Sequence, residues 1–160
     1  KFHHKTGDHI SLLRLFNSYK KKHDKQSIDD WCYKNFIKKE KMQKIHKYAK
    51  RINRNIFNYI KNIKISDFIN FNPRINNLKL EYKIIYCLLI GFKYHTGVLK
   101  KDKYKTDYTD NIDLDKICFL NLNKKPSKSV FYNLIFVTET IKKFNIVSEI
   151  PNEIKKVYNL

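Results

Sequence analysis

The sequence predicts an α+β chain in which a helical half is followed by a small β-barrel half. Two observations carry that reading. Up to about residue 95, apolar residues recur at alternating steps of three and four, the spacing of a helix face. After Gly97 the pattern changes to short runs of β-branched and aromatic residues separated by charged or turn-forming pieces. At 160 residues and 42% hydrophobic composition the chain can build a core and fits one ordinary domain or two very small ones. The change in pattern places the boundary between residues 1–96 and residues 97–160.

Each element has its own signal. Asp8 is read as the N-cap of a first helix through Tyr19, with Leu12, Leu15, Phe16 and Tyr19 on one face. Ser27, three residues ahead of Asp30, opens a second helix carrying Trp31, Asn35 and Phe36. The third helix has the strongest pattern: Met42, Ile45, Ala49, Ile52, Ile56, Tyr59 and Ile63 form a continuous stripe. Its lysines and arginines lie mainly off that stripe, which reads as the core-facing side of a small bundle. Asn72-Pro73 marks a turn, and a fourth helix follows from Leu78 to Tyr94. Gly91 in that helix either permits a close crossing or ends the regular packing.

The β half reads as runs over Tyr104–Tyr108, Ile112–Leu120, Val130–Val137 and Phe144–Ile150. Both alternating faces of Val130–Val137 are largely apolar, the pattern of a strand covered on two sides. Pro151 then starts a last helical turn or two, with Asn152 and Glu153 suited to its N-terminal end.

Composition narrows the function. Lys plus Arg number 34 against 15 Asp plus Glu, a formal charge of +19. Such a charge attracts polyanions, while the surplus of Lys, Ile and Asn over Ala and Arg also fits a compositional bias of the genome. Neither glycine-rich phosphate-binding fingerprint is present among three glycines. Cys32, Cys87 and Cys118 are odd in number and widely spaced, as expected of buried thiols in an intracellular, reducing compartment rather than a disulfide scaffold or a zinc site. No apolar run reaches the length of a membrane span. Lys1-Phe2-His3-His4 carries neither an initiating methionine nor a signal pattern, which gives the expectation of a piece of a longer protein.

Catalytic and metal chemistry find no footing. His3, His4 and His9 with Asp8 form the one suggestive cluster, and it reads as a polar terminus; the remaining histidines are isolated. No nucleophile motif or convincing carboxylate pair is present, so neither a catalytic residue nor a metal ligand is assigned. The basic segments of the β half are better candidates. Lys100, Lys101, Lys103 and Lys105 interleave with Tyr104 and Tyr108, and Lys124, Lys125 and Lys128 recur in a later loop. A barrel with basic loops and exposed rings suits single-stranded nucleic acid, the lysines neutralising phosphates and the rings stacking on bases. A solvated loop in a lysine-biased chain, with its tyrosines packed inside, has the same composition. Both readings stay open on composition alone.

Two segments go beyond composition. Gly7-Asp8-His9-Ile10-Ser11-Leu12-Leu13 followed by Trp31-Cys32-Tyr33-Lys34-Asn35-Phe36-Ile37 resembles the opening of the helicase-associated region of DEAH-box RNA helicases. Leu88, Gly91 and Phe92, then Lys125-Pro126 and Val130-Phe131-Tyr132-Asn133, resemble later stretches of that region, which ends in an OB-fold. Departures are Ser129 and Leu134, where the family has tryptophan and glutamate, and Glu153-Ile154, where it has Trp-Leu. The resemblance implies a ratchet-like helical domain and an OB-fold barrel serving as the C-terminal accessory module of a nuclear, ATP-dependent RNA helicase, of the splicing or ribosome-assembly type. No cofactor is implied in this piece; ATP and Mg would belong to an upstream motor. The implied partners are single-stranded RNA, the motor domains and a glycine-rich-patch protein. The alternative is a protein-docking module without RNA affinity of its own. On this reading Asp8, His9, Leu12, Leu13, Trp31, Cys32, Asn35, Phe36, Gly91, Tyr132 and Asn133 are structural. Lys100, Lys101, Lys103, Lys105, Lys124, Lys125 and Lys128 are the backbone contacts, with Tyr104 and Tyr108 as stacking rings.

Overall fold

The computed structural model describes residues 1–23, 28–61, 73–122 and 129–158. Helices α1 (Asp8–His23), α2 (Ile28–Lys34), α3 (Lys39–Lys61) and α4 (Leu80–Gly91) come first. Strands β1 (Thr96–Lys100), β2 (Lys103–Lys105), β3 (Asp113–Leu114), β4 (Ser129–Val137) and β5 (Lys142–Glu149) follow, and α5 (Asn152–Tyr158) comes last. This is the α+β order read from the sequence, helices and then a small OB-type barrel. The chain forms two compact units, one of Lys1–Arg14 with Pro73–Leu160 and one of Leu15–Asn72.

In the first unit the sheet order is β2-β1-β4-β5-β3, antiparallel throughout except for the parallel β3–β5 pair. The open edges are β2 and β3. Tyr104 and Ile112 join them by exchanging both backbone hydrogen bonds, at 2.7 and 3.0 Å, so the barrel is nearly closed. Alternation along β4 separates two cores. Val130 and Tyr132 point into the barrel with Tyr104, Ile112, Cys118, Phe144 and Val147. Phe131 points out onto Ile10, Ile85, Leu89, Ile150 and Ile154. Full burial of such side chains contributes about 1.5–3 kcal/mol each.

Beyond Tyr132 the two-sided cover ends. The register slips at Asn133 and recovers by Ile135, and Leu134, Phe136 and Val137 are exposed. The expectation that Val130–Val137 is covered on both faces therefore holds only for its first half. β1 pairs with β4 no further than Phe131, and past that point β5 is the only strand among the described residues that pairs with it. β1 itself gave no sequence signal, and most of the run read from Ile112 to Leu120 is turn and a 3-10 segment at Phe119–Leu122.

The N-terminal segment packs as part of this unit. Gly7 bridges Ser148 of β5, and the Glu149 amide donates to the Thr6 carbonyl at 2.7 Å. Gly7 has φ of +111°, and a Cβ there would stand 2.5 Å from the Val147 carbonyl oxygen. Backbone cannot yield as a side chain can. Gly7→Ala is expected to cost at least about 2 kcal/mol, combining the strained φ with that collision. Chemical denaturation of the purified chain checks it; a variant within 0.5 kcal/mol of the parent would show that the approach is looser than this.

Two helix readings change. Asp8 is not an N-cap: it lies inside the first turn, and the Gly7 carbonyl accepts the amide of Ser11. α4 stops at Gly91 rather than Tyr94, with the Phe92 amide bonded to the Leu88 carbonyl. A Cβ at Gly91 would meet nothing within 4 Å, so this glycine serves the helix end and not a close crossing.

In the second unit, Tyr19 is buried beside Trp31 and His46, each at 6.1 Å between ring centroids, with Cys32 and Met42 also buried. α2 ends in a Schellman turn: the Ile37 amide bonds the Cys32 carbonyl and the Phe36 amide bonds the Tyr33 carbonyl. The Asn35 side-chain amide donates to the Trp31 carbonyl at 2.7 Å. Phe36 takes the left-handed position, φ +55°, where glycine is usual, and is 99% exposed. Its structural reading is thus corrected. The backbone turn is structural, but the ring packs on nothing. α3 is corrected likewise. Only Met42 is buried on it, while Ile45, Ile52, Ile56, Tyr59 and Ile60 are exposed. Ser27 and Ile63 lie outside the described residues, as does most of the segment read as a break before Pro73.

Candidate nucleic-acid interface

The basic hairpin grows from its turn. Lys100 pairs with Lys103 in register, leaving Lys101 and Asp102 as a two-residue loop with φ of +46° and +64°. Two positive φ values match the right-handed twist of a hairpin, here achieved without glycine. The side-chain period of two then sorts the residues. Lys103 and Lys105 face solvent, and Tyr104 between them turns inward. Lys100, Lys101, Lys103 and Lys105 surround one shallow concavity of about 300 Å³, with Asp110 and Asn111 on its far wall.

Half of that charge is already answered locally. Lys103 pairs with Asp113, and Lys105 with Asp110 at 3.2 Å. These exposed pairs are worth little as stability and mainly lower the local field. Lys100 and Lys101 carry the remaining positive charge of the hairpin.

The two tyrosines read as stacking rings separate. Tyr104 is 2% exposed, its ring 5.5 Å from that of Phe144, so it is a core residue and cannot stack on a base; this corrects the sequence reading. Burial, with Glu149 next, holds its phenol well above the usual value. Tyr108 is 71% exposed. The Thr106 hydroxyl accepts the amides of Tyr108 and Thr109, and that tight turn presents the ring. Lys124, Lys125 and Lys128 lie outside the described residues.

Tyr108 leads to a second concavity that the sequence reading missed. Its ring meets Tyr94 edge-on at 6.3 Å. His95, next along the chain, stacks on Tyr132 at 5.1 Å and 18°, and Tyr132 stacks on Phe144 at 4.4 Å and 18°. The His95 Nδ1–H donates to the Tyr132 carbonyl at 3.1 Å, and the Tyr132 amide returns a bond to the His95 carbonyl. Tyr94, His95, Tyr108 and Tyr132, with Lys93 and Asn133, help to line a groove of about 630 Å³. The available signal was Phe92-Lys93-Tyr94-His95, an aromatic run just beyond a helix end.

The remaining motif residues are structural anchors. The Asp8 carboxylate accepts the amides of Phe119 at 2.8 Å and Val147 at 2.7 Å. Burial raises its pKa from 3.8, and those two bonds oppose the rise. The His9 Nε2 is buried and has no hydrogen-bond partner among the described residues; its Nδ1 meets the Ser148 hydroxyl at 2.8 Å and its ring lies 4.9 Å from Phe131. Burial pushes its pKa down to about 4. Leu12 is exposed and Leu13 half-buried. Among the cysteines, all free, Cys87 is exposed, against expectation, while Cys32 and Cys118 are buried. Cys118 donates to the carbonyls of Phe144 and Asn145, and burial with Asp8 nearby raises its thiol to about 12. Among the described residues no His/Cys/Asp/Glu group could hold a metal, and no helix is long and apolar enough to cross a membrane.

Helices are followed by a nearly closed five-stranded barrel of OB type, with an N-terminal Gly-Asp-His segment anchored on it. No family model matches the chain. It is 27% identical over 142 residues to the ATP-dependent RNA helicase DHX33 of Drosophila melanogaster, a match covering 88% of this chain. The match spans only 18% of that protein's length. The fold and this distant similarity together point toward the helicase-associated, OB-fold superfamily and support a generic accessory role.

Proposed function

We propose that this chain is the accessory module of a DEAH-box, ATP-dependent RNA helicase, and that it contacts single-stranded RNA beside a motor that holds ATP and Mg. The observation that carries the reading is the hairpin concavity, where four lysines converge on a chain of +19 charge. The distant similarity to an RNA helicase supports it. Lysines around a shallow, open surface suit a phosphate backbone, whose binding is driven by release of counterions. Nuclear RNA processing, in splicing or ribosome assembly, is the setting this reading implies.

The ion pairs set the size of the effect. With Lys103 and Lys105 engaged by aspartates, Lys100 and Lys101 supply two phosphate contacts. Lys100→Gln with Lys101→Gln is expected to reduce the slope of log affinity against log salt by roughly 1.4, at about 0.7 per contact on a single strand. Anisotropy with labelled oligouridine over a salt series reads it directly. An unchanged affinity and slope would remove the hairpin from the interface.

A second reading is favoured by the exposed stripe of α3, from Ile45 to Ile60. Exposed apolar surface of that kind marks a protein interface, and the motor domains or a glycine-rich-patch protein would be its occupants.

A further inference from the structure

We propose that the aromatic groove between the end of α4 and β4 is a binding site for an unstacked nucleobase of a single strand. The proposal rests on the reading that the chain meets single-stranded nucleic acid, and adds a second, chemically different contact to it. Its walls carry the rings of Phe92, Tyr94, His95, Tyr108 and Tyr132 beside aliphatic side chains from α4 and β4, with Lys93 and Asn133 as polar members.

Four features match this ligand. First, the platform is fixed before binding. The His95 ring is held by its bond to the Tyr132 carbonyl and stacks on the Tyr132 ring, so a base meets a surface already ordered. Second, Tyr94 and Tyr108 are both exposed and meet edge to face. Such a contact covers a face of only one of the two rings, and a flat heterocycle takes up the faces left open. Third, Asn133 is exposed at the register slip of β4 and offers both a donor and an acceptor to a base edge. Fourth, the Lys93 ammonium lies over one face of the Tyr94 ring, 5.8 Å from its centre, which leaves the opposite face for a base and sets a cation beside it for the attached phosphate.

Charge selects among occupants. An apolar peptide would fill the groove but strip water from Lys93 and Asn133 without replacing their hydrogen bonds. A nucleotide satisfies the cation, the amide and the rings together. At about 630 Å³ the groove falls within the size range of small-ligand sites.

The test compares labelled oligouridine with a ribose-phosphate strand of the same length that lacks bases, at matched salt across a salt series. The whole chain is expected to prefer the base-bearing strand at least about tenfold. Tyr94→Ala and Tyr108→Ala are each expected to weaken oligouridine binding roughly 5- to 150-fold while leaving the abasic strand and the salt slope unchanged. Both rings are exposed, so circular dichroism and melting temperature should match the parent. Equal binding of the two strands, with the lysine-dependent slope intact, would overturn the base site and leave the hairpin reading standing. Binding of neither strand would overturn both. An apolar peptide that binds and is released by the same tyrosine substitutions, with the two strands equal, would reassign the groove to a protein partner.

Discussion

Asp8→Ala is expected to destabilise the barrel unit by about 2–5 kcal/mol, because it leaves the buried Val147 amide and the part-buried Phe119 amide without an acceptor. The carboxylate is expensive to bury, as its raised pKa shows, yet removing it costs more than keeping it. Asp8→Asn retains one acceptor oxygen and should recover part of the loss. Denaturant unfolding gives the stability, and hydrogen exchange at the Phe119 and Val147 amides gives the location. A stable Ala variant with both amides still protected would mean that another group or a water replaces the carboxylate.

Acid is expected to weaken the same unit through His9. Its folded pKa of about 4 lies below the ordinary value of 6.5, so between those values the unfolded chain takes up a proton that the folded chain refuses. Stability therefore rises with pH across that window. It is fully present above about 6.5 and falls by about 1.4 kcal/mol per unit down to pH 4, a total of about 3 kcal/mol. Asp8 works in the opposite sense. Its folded pKa is raised above 3.8, so its contribution is greatest in acid and declines as pH rises through the folded value. His9→Gln should flatten the slope between pH 4 and 6.5. An NMR titration placing His9 near 6.5 would sink this account.

The structure explains which parts of the fold could be read in advance. β4 and β5 were legible because long alternation has a clear phase, and Phe131 against Val130 and Tyr132 divides two cores as alternation requires. The same period was available at Lys103-Tyr104-Lys105, where exposed lysines on both sides put Tyr104 on the inner face. Its burial could have been anticipated; composition masked it. β1 was hidden by its short length and by Gly97, which lies where a Cβ would come within 2.8 Å of the Phe144 ring. For α3 the period identified an apolar face but not what covers it, which is a property of tertiary packing. Asp8 shows the same limit at one residue. An acid at a helix start looks like a cap, and nothing local says that it reaches a strand 139 positions away.

That separation has a consequence for how the molecule is made. The segment ending at Arg14 belongs with residues that begin again at Pro73, so the unit Leu15–Asn72 is an insertion within the other. During synthesis at roughly 5–20 residues per second, Asp8 emerges about 7–28 s before Val147 is added. Throughout that interval Ile10 lacks Ile150 and Ile154 as neighbours, and Gly7 lacks Ser148. The inserted helices can form from nearby contacts while the ends of the barrel wait, so assembly of this unit is non-local and late. A chain stopped before β5 would present Ile10 and Phe131 to whatever chaperone or neighbour arrives first.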